Sequence, residues 1–180
     1  MAEWHINLQH EFINPTPLAA YQSMEQPSKT NNFLIEQATL LRNSYRHLLG
    51  HELIITTQTD SQFARELFYA PFAVVSHDTG SDPVFNYGNL AALKLFEFSW
   101  EEFTKLPSRL SAEPVNQAER EMLLQEVSQK GYIDQYQGIR ISKSGQRFLI
   151  QNAVVWNLAD PDKSYKGQAA KFEHWQFLKI

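Results

Sequence analysis

The chain contains no cysteine. That absence removes disulfides, thiolate metal sites, cysteine nucleophiles and any cofactor attached through a protein thiol. Only seven of its 180 residues are glycine, and none of them builds a phosphate-cradling loop or a Gly-x-Ser-x-Gly elbow. No stretch approaches the roughly 20 apolar residues that cross a bilayer, and the N-terminus lacks a basic region followed by an apolar run. Dense Lys/Arg blocks are missing too. Sixteen basic against 20 acidic residues leave a formal charge of −4, which argues against a phosphate-backbone partner. The expectation is a cytoplasmic protein that contacts neither nucleic acid nor membrane.

Core-forming material is plentiful: 43% of the residues are hydrophobic and 13% aromatic, enough for one domain with an extension. Residues 1–32 carry Pro15, Pro17 and Pro27 among Ser, Thr, Gln and Asn, the composition of an irregular arm. Residues 33–60 form a helical extension. Leu34, Ala38, Leu41, Tyr45 and Leu48 fall in steps of four and three on one helix face, and Gly50 suits its C-terminal cap. That stripe either packs on the body of the chain or serves as an interface to a second copy or another protein partner.

Residues 61–180 hold the remaining pattern. A short helix from Asp60 stops near Pro71, and two strands, Phe72 to His77 and Val84 to Tyr87, flank a turn. Asn89 caps the next helix, Ser99 with Glu102 makes a capping box, and a longer helix runs from Asn116 to Gly131 with Met122, Leu123 and Val127 buried. The last third changes to period two. Ile139 and Ile141 alternate with an outward Arg140 and Ser142, Phe148 and Ile150 begin a second strand, and Gly167 to Trp175 forms the last. The fold class is α+β: five antiparallel strands with short helices on one face.

The segments Ala70-Pro-Phe-Ala-Val-Val-Ser-His77, Asp82-Pro-Val-Phe-Asn-Tyr-Gly-Asn89, Leu106-Pro-Ser-Arg-Leu-Ser-Ala-Glu-Pro114, Asn152-Ala-Val-Val-Trp-Asn157 and Gly167-Gln-Ala-Ala170 resemble a MEKHLA domain. That family is related to the PAS fold, and the whole chain looks like its stand-alone bacterial form. The resemblance implies a PAS-like sheet with helices over one face, a sensory or dimer-controlling role, and no catalytic residues.

Specific chemistries can be weighed against the residues. Without cysteine, a flavin adduct or a thioester-linked chromophore is excluded. The helix Asn116 to Gly131 holds no histidine for haem, while flavin held without a covalent bond stays open. His47 and His51 sit four apart, but Gly50 ends the helix between them and no further ligand completes a metal site. Ser76, His77 and Asp78 are consecutive in a strand and point to opposite faces, so they do not form a catalytic triad. Arg109 and Glu113, between two prolines, are expected to clamp the helical layer or to present a guanidinium to a carboxylate. Arg140 and Arg147 are expected to face solvent.

The functional expectation is a non-catalytic sensory module that holds a small, mostly apolar ligand between sheet and helices and signals by protein contact. Phe85, Tyr87, Phe96, Leu123, Val127, Phe148, Ile150, Asn152, Val154 and Phe172 are the candidate lining residues, with Asn152 the buried polar handle. The same residues could close a solid core. A ligand-free dimerisation or interaction domain is the alternative, and a small isomerase-type enzyme a more distant one.

Overall fold

The structure, a computed structural model, describes residues 25–55, 59–113, 122–123 and 125–179. The arm therefore lies mostly outside the described residues, as does the expected start of the long helix at Asn116. Helix α1 (Ile35–Leu49) ends where Gly50 takes a left-handed φ of 77° and its N–H returns to Arg46. Helix α2 (Asp60–Tyr69) is capped by Thr59, which forms a capping box with Gln62. Strands β1 (Ala73–His77) and β2 (Phe85–Gly88) precede α3 (Leu90–Phe96) and α4 (Trp100–Phe103). After α5 (125–130) come β3 (Tyr132–Ile141), β4 (Arg147–Ala159), β5 (Tyr165–Phe172) and β6 (His174–Phe177).

Asn89 joins these elements. Its side chain is fully buried, accepts from the N–H groups of Val74 at 3.0 Å and Ala92 at 3.1 Å, and donates to the carbonyls of Phe72 at 2.7 Å and Leu67 at 3.2 Å. One amide thus caps α3, holds the start of β1 and receives the end of α2, satisfying groups that would otherwise be buried unpaired.

The sheet runs β2-β1-β5-β4-β3, antiparallel throughout, with β6 also paired to β4. It has six strands where the sequence pattern indicates five, because the last strand breaks at Glu173. The registers Val154↔Lys171 and Gln151↔His174 place that break opposite Asn152, which is left-handed at φ 52°. Alternation inverts there: Ile150 and Ala153, three apart, are both buried. Asn152 is consequently exposed and not a buried handle, and Val154 lies beside Lys171 on the face opposite Val155.

Cross-strand neighbours define two faces. On the inner face Phe85, His77, Gln168 and Asn157 form one row, and Phe103 of α4 stacks on Phe85 at 4.3 Å. On the back face Ser76, Ala169 and Trp156 form the matching row. Helix α1 covers it: Tyr45 meets Trp156 edge-on at 5.0 Å, Ser44 Oγ bonds the backbone O and N of Ala159, and Gln37 donates to Ser76. Helices therefore lie on both faces. Of the two placements open to the stripe, it takes packing on the body of the chain, with Ala38, Leu41 and Tyr45 buried and Leu34 and Leu48 partly so. A polar cluster on α1 secures it, since Arg42 reaches Glu52 at 3.1 Å and Asp60 at 3.2 Å.

The β3–β4 turn is tied to the helical layer. Lys143 N–H donates to the Phe96 carbonyl, Ser142 Oγ and Ser144 N–H donate to the Glu97 carboxylate, and Lys143 Nζ reaches Glu102 at 2.6 Å. The Lys143 bond, with the Ser99 cap, lowers the Glu102 pKa from 4.5 to about 2.

Two measurements check this framework. Asn89→Ala removes four bonds from a buried node, and equilibrium urea unfolding should show a loss of about 2–4 kcal/mol. Because folding lowers the Glu102 pKa, its contribution is complete above pH 4.5 and is lost as pH falls toward about 2. Glu102→Gln should therefore flatten the acid limb of the stability profile over that window and leave the slope near neutrality unchanged.

Candidate functional site

The inner sheet face and the helices over it bring most of the expected lining residues together. Phe85, Phe96, Phe148, Ile150, Phe172 and Val127 are buried, and Leu123 is partly buried against them. Beneath α3 and α4 the rings touch directly: Phe85 lies 6.5 Å from Phe96, which meets Phe148 edge-on at 5.2 Å. This half of the face is solid core. Met122, expected inside, is 72% exposed. Tyr87 stands on edge strand β2, edge-on to Trp100, and its fully buried hydroxyl has no hydrogen-bond partner among the described residues. Burial pushes that phenol's pKa well above its ordinary value.

Toward α5 the face becomes polar. Gln168 Nε2 donates to Asn157 Oδ1 and to Ser128 Oγ, each at 3.1 Å, while Asn157 Nδ2 donates to the Val127 carbonyl at 3.0 Å. His77, next to Gln168 in the register, keeps Nδ1 2.8 Å from its neighbour's carbonyl at Asp78. These amides hang α5 on the sheet. Sequence reading passed over Asn157 and Ser128; the one available signal was Asn157, Gln168 and His77 interrupting apolar strands.

At the opposite edge of the sheet, Arg140 is 9% exposed, and Ser142 is buried too, while Ile139 and Ile141 are only partly covered. The expected alternation is thus reversed: Arg140 stands opposite the inward Phe148, and Ile141 opposite Arg147. Arg147 instead lies 2.9 Å from Glu113, an ion pair without hydrogen-bond alignment.

Arg109 and Glu113 do not pair with each other. Arg109 grips Asp82 with two bonds of 2.9 and 3.1 Å, and Ser108 N–H bonds the Pro83 carbonyl while Phe85 N–H bonds that of Leu106. The segments around Asp82-Pro-Val-Phe and Leu106-Pro-Ser-Arg are therefore stitched together, a structural reason for both to be distinctive. An open groove of about 380 Å³, lined by Ile54, Arg65, Tyr69 and Phe72 among others, lies away from this face at the α2–β1 junction. Among the described residues no cluster of three or more His, Asp or Glu could hold a metal, and no helix is long and apolar enough to cross a membrane.

The sequence profile of the MEKHLA domain matches residues 35–177. The chain belongs to the MEKHLA domain family. No curated protein matches it in sequence. Among solved structures, a PAS domain from Colwellia psychrerythraea is similar at TM-score 0.55 and 16% identity, over 62% of this chain and 92% of that one. A light-oxygen-voltage domain studied with a flavin analogue is similar at TM-score 0.52 and 15% identity, over 66% of this chain and 85% of that one. An RNA-binding light-oxygen-voltage receptor gives 0.53 and 14%, over 67% of this chain and 33% of the receptor, so the MEKHLA chain corresponds to about a third of it. These likenesses establish a PAS-like fold for the MEKHLA chain.

The orphan hydroxyl of Tyr87 gives a direct check. Tyr87→Phe removes an unpaired buried donor at constant shape, so the ligand-free protein should gain about 1 kcal/mol in urea unfolding. A loss instead would show that the phenol is bonded in solution.

Proposed function

We propose that this MEKHLA protein is a non-catalytic, cytoplasmic sensory module that holds a small, mostly apolar molecule between the inner sheet face and α5 and signals through contact with another protein. The observation that carries this reading is the composition of that face. Apolar Ile150, Ala153, Val155 and Phe172 lie between the Gln168–Asn157 amides at one end and the buried Arg140 at the other. Small-molecule sites have this mixture, largely apolar with a few fixed polar groups, whereas a core without a ligand has little use for it. The PAS-like fold of the MEKHLA domain supports the same reading.

A second reading, a ligand-free interaction domain, is favoured by the direct stacking of Phe85 on Phe103, which leaves no room for a ligand under α4. Mass measured under native and then denaturing conditions separates the two readings. The sensory reading expects extra mass on the native full-length chain, lost on denaturation, together with any absorbance the molecule carries. A bare native mass with a tight dimer in sedimentation would establish the second reading in its place.

A further inference from the structure

Among the described residues Arg140 is a buried charge with no counter-charge beside it. Its Nη2 donates to Tyr136 Oη at 2.9 Å and its Nη1 to the carbonyl of Ile139 at 2.8 Å, and the guanidinium leans over the Tyr136 ring at 5.4 Å. Among the described residues no carboxylate pairs with it, and Glu113 is engaged by Arg147. Enclosing a guanidinium without an anion is costly, and proteins ordinarily avoid it by pairing or by keeping the group in water.

The arrangement is built. Tyr136, Gly138 and Arg140 alternate along β3 opposite Ala153, Ile150 and Phe148, so they share the inner face. Gly138 makes room for the contact: a Cβ there would fall 2.2 Å from Tyr136 Oη and 2.9 Å from Arg140 Nη1. A guanidinium fork beside a phenol, set on a glycine step and floored by Ile150 and Ala153, matches a carboxylate head on an apolar body.

We infer that Arg140 and Tyr136 receive the carboxylate of a small apolar monocarboxylic acid whose tail lies along Ile150 and Ala153. This rests on the sensory reading above and names the class of its ligand. The free phenol O–H of Tyr136 and the remaining guanidinium N–H groups supply the donors, and the incoming anion provides the missing charge.

The test uses the full-length chain with sodium octanoate as probe and octanamide as its neutral counterpart, read by calorimetric titration. Octanoate should bind, octanamide should bind about tenfold more weakly or worse, and Arg140→Met and Tyr136→Phe should each reduce octanoate affinity, the arginine variant by about tenfold or more. Arg140→Met should fold with at least the stability of the ligand-free parent, since it removes an uncompensated charge. Equal binding of octanoate and octanamide, or octanoate affinity retained in Arg140→Met, overturns the carboxylate assignment while leaving the sensory reading intact. A marked loss of ligand-free stability in Arg140→Met identifies the arginine as a structural brace and also overturns it. No octanoate binding together with a bare native mass removes both the assignment and the sensory reading.

Discussion

Asn89 sits where three chain segments arrive with backbone groups that none of them can satisfy alone: the end of α2, the first turn of α3 and the start of β1. A carboxamide has both an acceptor and two donors, and all are used here. An aspartate could cap the helix but could not donate to the carbonyls of Leu67 and Phe72, and it would bury a charge. The angle at which the helical layer leaves β2 follows from that node, and with it the stacking of Phe103 on Phe85 and the position of the turn that Glu97 and Glu102 tie down.

Much of this was legible in the sequence because it is local. Gly50, Asn89 and Ser99 announce helix ends through chemistry confined to a few residues, and the family segments announce the PAS-like order of elements. The inner-face aromatics were legible as a group as well. What escaped was register. Asn152 adopts a left-handed backbone that no periodicity reveals, and it moves every later side chain of its strand to the other face. Val154 and Asn152 were misplaced for that reason, whereas Arg140 turns inward because its partner across the β3–β4 hairpin is the buried Phe148. Partner choice was hidden for a different reason: Arg109 finds Asp82, 27 residues away, in preference to Glu113, four residues away, because the β2 entry passes alongside the turn that carries Arg109.

The inner face consequently divides into regions with different physics. Under α3 and α4 the rings interlock and resist change as close-packed interiors do. Under α5 the contacts are amide hydrogen bonds, individually modest and readily exchanged for bonds to a guest or to water. A domain with one rigid and one exchangeable half can alter the seating of a single helix without disturbing its frame.

The covering of Trp156 by Tyr45 also determines what counts as the smallest autonomous piece of this protein. Helix α1 is part of the continuous apolar core rather than an appendage, and the family match begins with its first residue. A fragment cut at residue 60 would expose an indole and Leu158 on a broad greasy plane, and such fragments clump. The cut would have to come ahead of Ile35 for the remainder to stay in solution as a single particle.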